Sequence, residues 1–391
     1  MVDAGMGIFG RETTLAGTSA PATAKPTMTI DEYAAFAAAR PCAPAQSPAW
    51  INAWTACNDG EYAFATVEAA GTRLALPLEI VRTGPCRVAR FLSDRHANGN
   101  FPPFEGGKGA QAGGVREQIK AALPGVDLVH LERLAPEQDG IANPLLALAA
   151  QESPNIALAV SLDGGFEELL DRASGKRKRK KHRSQTRKFE AAGGHRRVEA
   201  STDAEVDALL DGFFAMKAER FLRMGIADVF ADAGVQAAFR AIFKHGVADP
   251  DRSFVLHGLE VAGRLRAVTG SSKCGGRLIC EFGAIAEDDV SFASPGEYLF
   301  YDNIREACEQ GFTIYDFSVG DERYKRLWCN IEVRHFDVLV PLTAKGAVLA
   351  SLLKTRSRIK RFVKRNEFLW SAVKRLRRGN APPPAVQEEA D

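Results

Sequence analysis

Apolar residues recur along this chain with two different periods. Between Asp203 and Arg223, Val206, Leu209, Leu210, Phe213, Phe214, Met216 and Phe221 fall three or four apart, the spacing of one helix face. Over 254–261 and 264–273 the apolar positions come instead in short runs around Ala262-Gly263, as in two strands and a tight turn. The same reading predicts helices over 29–40, with Thr29 as N-cap, and from Ser47-Pro48 onward, with Trp50 and Trp54 on a core face. Strands are expected over 62–69, 73–81 and 85–92, then a long Gly-rich loop over 93–114 of the kind that often carries function. A helix over 115–122, a strand over 126–131, a short helix over 144–150 and a strand over 156–161 follow. A helix beginning at 163–172 runs on through the basic stretch 174–192 to Gly193-Gly194. Beyond it come a helix over 235–247, a strand over 278–285, a helix over 297–310 that stops at Gly311, and a strand over 312–317. A closing strand or pair of strands is expected over 328–342, and one or two basic helices over 346–376.

One pattern occurs twice. Val67-Glu68-Ala69-Ala70-Gly71 lines up with Leu259-Glu260-Val261-Ala262-Gly263, and each lies in a strand-turn-strand preceded by helical sequence. Two copies of one α/β unit account for a chain of 391 residues.

The composition is that of a soluble globular protein, 46% hydrophobic and 26% charged, with a formal net charge of only +2. The chain as a whole is therefore no polyanion binder, although its cations are clustered. Seven cysteines are scattered without a CxxC pair, and the seven histidines show no ligand spacing. That argues against a disulfide framework or a metal site, and for a reduced, cytoplasmic protein.

The chemistry concentrates between Ser291 and Lys325. There the turn Ser294-Pro295-Gly296 opens a helix, whose N-terminus is a natural place for a phosphate. The strand after that helix runs into Tyr315-Asp316-Phe317-Ser318-Val319-Gly320, followed by Tyr324-Lys325. Asp316 is a candidate general base or acceptor-orienting group, with capping of its own turn as the plainer role. Glu281, in the apolar run ICEFGAI, is a second candidate base whose pKa burial would raise. Lys325 suits stabilisation of developing negative charge.

The order helix, hairpin, strand, turn into helix, strand resembles the GNAT acyl-CoA acyltransferase fold. The Arg/Lys-rich helix before Gly193-Gly194, the run Ser294-Pro295-Gly296-Glu297-Tyr298-Leu299, and Asp316-Phe317-Ser318-Val319-Gly320 with Tyr324-Lys325 and Trp328 are similar to the CelD-like, or cellulose-biosynthesis, acetyltransferase group. That group is distantly related to FemAB-type transferases. The resemblance implies an α/β fold of tandem GNAT-like units, each a mixed central sheet flanked by helices. It places a degenerate unit at 29–161 and a catalytic one at 162–345, between a disordered leader (1–28), basic C-terminal helices (346–380) and a disordered tail (381–391). It implies transfer of an acetyl or other acyl group from acyl-CoA to an amino group of a small, sugar or envelope-polysaccharide acceptor, without a metal. Asp316, Tyr324, Lys325 and Glu281 would be catalytic, Tyr324 as the acid that protonates the leaving thiolate. Ser294, Pro295, Gly296 and Gly320 would hold the cofactor. Many GNAT enzymes carry a Q/R-x-x-G-x-G/A loop where this chain has only Ser294-Pro295-Gly296, and the FemAB relatives use aminoacyl-tRNA instead.

Two basic stretches stand apart. The run 176–187 has like charges three and four apart, which repel one another until an anion such as a CoA 3′-phosphate, a lipid headgroup or RNA relieves them. The stretch 354–378 interleaves Ile359, Phe362, Val363, Phe368, Leu369 and Trp370 with cations, the composition either of a helix lying peripherally on an anionic inner-membrane surface or of one docked on the domain. A non-catalytic basic module for membrane or nucleic acid is the remaining alternative. The near-zero net charge stands against it, and nucleic acid other than tRNA is not expected.

Overall fold

The computed structural model describes residues 27–69, 72–106 and 115–365. The first unit runs β1 (Thr27–Met28), α1 (Ile30–Ala38), α2 (Pro48–Cys57), β2 (Glu61–Ala69), β3 (Thr72–Thr83), β4 (Cys86–Phe91), β5 (Phe104–Gly106), α3 (Val115–Ala122) and β6 (Leu128–Leu134). A small hairpin, β7 (Glu137–Gln138) and β8 (Ile141–Ala142), leads to β9 (Gln151–Ser161). Next come α4 (Gly165–Arg172) and α5 (Gly175–Ala191). The second unit is β10 (His195–Glu199), α6 (Asp203–Met224), α7 (Ala233–Ala248), β11 (Phe254–Val261), β12 (Arg264–Cys274), β13 (Arg277–Ile285), α8 (Pro295–Glu309) and β14 (Ile314–Val319). A short α9 (Arg323–Arg326), β15 (Ile331–Pro341) and α10 (Ala344–Arg365) close the described chain.

Both units follow one plan: an edge strand, two helices, three antiparallel strands, a helix, and a strand parallel to the one before that helix. The hairpins that echo each other in sequence, β2–β3 and β11–β12, occupy corresponding places. At the second hairpin Ala262 and Gly263 both have positive φ, 52° and 71°, as a two-residue turn between twisted strands requires. The units then exchange their last strands. β9 pairs with β14 of the second unit, β15 pairs with β6 of the first, and β9 and β15 pair antiparallel with each other. The result is one mixed sheet in the order β1-β2-β3-β4-β6-β15-β9-β14-β13-β12-β11-β10, with β5 beside β3.

A shared core ties the halves a second time. Trp50 and Trp54 of α2 pack with Phe213, Phe239, Phe243, Phe254 and Phe282, and the Trp50 ring meets that of Phe239 edge-on at 5.8 Å. The helices entering this core are fixed at their starts. Thr29 and Thr202 each form a capping box with the glutamate three residues on, worth about 1 kcal/mol apiece.

The structure departs from the sequence expectations at identifiable places. The helix expected to continue from 163 to 192 is two helices, because Ser174 takes a left-handed conformation (φ 59°) that breaks the ladder between α4 and α5. The edge strand β10 was not expected, since HRRVE carries no apolar alternation. The 144–150 segment is a short 3-10 turn over Pro144–Ala147, and 328–342 holds a single strand. Thr27 and Met28, placed in the leader by sequence, pair with Ala65 and Phe64. The rest of the expected leader, the 381–391 tail and the basic stretch beyond residue 365 lie outside the described residues.

Gly246 of α7 lies where a Cβ would overlap the Phe254 carbonyl of β11. Gly246→Ala should therefore lower stability in urea denaturation by about 1–3 kcal/mol, the usual cost of overpacking.

Candidate functional site

The site begins where the parallel pair β13–β14 comes apart. The two strands pair only from Arg277↔Ile314 to Ile279↔Asp316. Past that point both are irregular. β13 inserts Glu281 opposite the step between Gly270 and Ser271 of β12, a bulge that turns an extra side chain onto one face. β14 shifts register between Asp316 and Val319, with Ser318 at φ 61°. The Ser318 hydroxyl bridges the gap by donating to the Cys280 carbonyl at 2.7 Å.

Side-chain direction then sorts the chemistry onto two faces. Leu278 and Cys280 pack toward α8 with Phe300, Ile304 and Tyr315. Arg277, Ile279 and Glu281 face the other way, into a cavity of about 450 Å³. Asp316 and Ser318 of β14 line it too, together with Arg334 and His335 of β15. The first unit supplies Asn98, Gly99, Pro136 and Gln138, so both halves of the chain build the walls.

Glu281 is held from both halves. The Ser272 hydroxyl donates to one carboxylate oxygen, and Asn98 Nδ2 donates to the other at 2.8 Å. The same Asn98 amide also donates to the Glu281 carbonyl at 2.7 Å. Burial, helped by the nearby Asp316 charge and opposed by these two hydrogen bonds, raises the Glu281 pKa to about 7. Asp316 is also raised by burial, offset by the Ser318 N–H at 2.7 Å, by Arg277 at 3.8 Å and by Lys325. Two carboxyl groups with raised pKa values thus face one cavity, and Glu281 titrates near neutrality, as a proton acceptor should. His335 is buried and pushed down to about 4, so it is neutral there.

The structure separates the other sequence candidates. Lys325 is buried, and its ammonium donates to Val319 O at 3.0 Å and Ser318 O at 3.4 Å and pairs with Glu322 at 3.0 Å. It fastens the end of β14 and does not line the cavity. Tyr324 lies on the α8 side with its ring stacked on Phe300 at 5.5 Å, and burial raises its pKa. Gly320 follows β14 with φ 133°. Ser294, Pro295 and Gly296 stand at the start of α8 and do not line this cavity. That turn makes a thin anion cradle. Pro295 has no N–H, and the N–H groups of Glu297 and Tyr298 already donate to Ser294 O, leaving Gly296. The glycine is required by packing, since a Cβ there would come within 2.6 Å of Ile285.

Helix α5 covers this turn. Gln185 donates to the carbonyls of Ala293 and Ser294, and Lys181 pairs with Glu297 at 2.6 Å. His182 is stacked between Tyr298 and Tyr301, 3.2 Å from Asp302. With that face committed, Lys176, Arg177, Lys180 and Arg183 are left exposed on α5.

Sequence reasoning missed Asn98, Ser272, Ser318 and the β15 residues. Asn98 lies in the Gly-rich loop marked as functional by its length, but nothing in sequence could show that it reaches Glu281, 183 positions away. One group elsewhere, Glu199, His257 and Glu306, brings three ligand atoms within 4.8 Å of one another. Its carboxylates are paired with Arg252 and Arg197, and the His257 hydrogen bond holds Glu199 down to about 2, so it reads as an ion-pair network.

Because the folded pKa of Glu281 lies above its ordinary 4.5, its contribution to stability is full below 4.5 and lost as pH rises through about 7. Glu281→Gln, which cannot ionise, should match the wild-type melting temperature at pH 4.5 and exceed it at pH 8.5 in a calorimetric scan.

No curated protein matches the chain in sequence. The structure of FemX superposes with a TM-score of 0.53 over 83% of this chain and 98% of that one, at 13% identity. A C-terminal domain assigned to a lysylphosphatidylglycerol synthetase of Agrobacterium fabrum scores 0.47 at 11% identity, over 84% of this chain and 97% of that one. A tandem GNAT protein from the clavulanic acid biosynthesis pathway scores 0.42 at 12% identity, over 80% and 94%. The FemX superposition shows a shared fold, and the two lower scores add nothing to it. Residues 176–326, less than half of the chain, match the family described as Acetyltransferase (GNAT) domain.

Proposed function

We propose that the protein is an N-acyltransferase whose acceptor amine binds in the cavity between the two halves. The observation that carries this reading is the placement of Glu281, a carboxyl group titrating near 7, beside Asp316 in a cavity at the parting of β13 and β14. Glu281 takes a proton from the acceptor ammonium. The freed amine attacks the acyl carbonyl of the donor, the bond from that carbon to the leaving group breaks, and the leaving group takes up a proton. Asp316 orients the amine, and Arg277 and Arg334 meet anionic parts of the acceptor. The donor approaches from the α8 face, opposite the acceptor, so the two meet only at the gap beside Ser318. An amino sugar or sugar nucleotide is the acceptor that the CelD-like resemblance suggests.

Acyl-CoA is the donor in the first form of this proposal. The thin backbone cradle at Ser294-Pro295-Gly296, covered by a helix that also carries four exposed cations, favours a second form. There the donor is held through side-chain contacts to phosphate, as aminoacyl-tRNA would be. Transfer assays with acetyl-CoA and with charged tRNA separate the two. Acyl transfer from neither to any amine acceptor would refute the proposal.

Glu281→Gln should lower kcat about 10²-fold or more, in line with the loss of a general base. Asp316→Asn should lower kcat/KM at least about tenfold, a modest loss of positioning. Both should keep wild-type circular dichroism. Turnover within about twofold of wild type in both variants would move the chemistry elsewhere.

A further inference from the structure

α10 packs on the sheet by one face only. Ala350 is buried, and Leu349 and Leu353 lie against Cys86, Val88 and Leu128. The helix cannot roll. At its start Gly346 sits where a Cβ would overlap the Asp127 carbonyl, and Lys345 pairs with Asp127 at 3.0 Å. Near its end the Arg361 guanidinium donates to the Glu152 carbonyl. With that face fixed, the opposite one carries Val348 (63% exposed), Leu352 (64%), Ile359 (59%) and Phe362 (65%). These positions, with Thr355 between them, form one stripe within roughly 40° of a line along the helix. Arg356 and Arg358 stand roughly 80° to either side of that line, and both are exposed. From Ala344 to Arg365 the helix has no acidic residue. No helix among the described residues is long and apolar enough to cross a membrane.

We propose that α10 is an interfacial helix that seats the protein on an anionic lipid surface. An apolar stripe edged on both sides by cations suits the boundary between acyl chains and headgroups, where the stripe is buried and the guanidinium groups meet phosphates. A second copy of the chain is a poorer occupant. Pairing the stripe with itself would bring Arg356 and Arg358 against their equivalents with no acid on the helix to neutralise them. The surface is independent of the acyl-transfer reading.

Co-sedimentation of the full chain with vesicles tests this. The protein should bind vesicles of phosphatidylglycerol and phosphatidylcholine, and much less to phosphatidylcholine alone. Leu352→Glu/Ile359→Glu/Phe362→Glu should weaken partitioning at least about tenfold, with an unchanged melting curve. Phe362→Ser alone, a milder change, should weaken it measurably. Arg356→Gln/Arg358→Gln should remove the preference for the anionic lipid. The proposal is overturned if the wild type ignores anionic vesicles or the triple variant binds them as well as the wild type. It is also overturned if the wild type is a dimer in solution that the triple variant dissociates.

Discussion

The antiparallel pairing of β9 with β15 is the constraint on which the rest of the molecule depends. Each strand is the last of its own unit, and each is built into the other's half of the sheet. The contact runs from Ile331↔Ala159 to Asp337↔Gln151, through the middle of a continuous sheet. Neither half can then complete its sheet alone. The aromatic core around Trp50 and Phe239, with helices from both units, reinforces the dependence.

That exchange makes the site composite. The cavity takes its carboxyl groups from β13 and β14, its far wall from β15, and Asn98 and Gln138 from the first unit. The first unit therefore does more than support the fold, because Asn98 bonds the Glu281 carboxylate. The electrostatics of the site follow from this enclosure. Burial drives both carboxyl groups upward, and a small set of hydrogen bonds decides how far each one goes. A carboxylate kept in such a place costs stability, which marks groups retained for chemistry more often than for folding.

Most of the elements are legible in the sequence, for a physical reason. Helix faces such as that of α6 and the paired hairpins write their periods directly into local sequence, and the echo of the hairpins gave the duplication. Glu281 and Asp316 stood out because acids in apolar runs are rare. The exchange of β9 and β15 was not legible, because which strand lies beside which is decided by contacts far apart in the chain. For the same reason the bulge at Glu281, the bridge from Ser318 to Cys280 and the reach of Asn98 went unseen. Lys325 looked like a site residue from its place after Gly320, yet its ammonium is taken up by two carbonyls and Glu322. Sequence neighbours share a segment and not a direction.

If the first unit sets the protonation of Glu281 through Asn98, loss of that hydrogen bond must move the Glu281 midpoint. Carboxyl-labelled NMR titration of Glu281, in the wild type and in Asn98→Ala, tests it most directly. The wild-type midpoint should lie at about 7 and rise when the Asn98 hydrogen bond to the carboxylate is removed. A wild-type midpoint near the ordinary 4.5, or one that Asn98→Ala leaves in place, would contradict it.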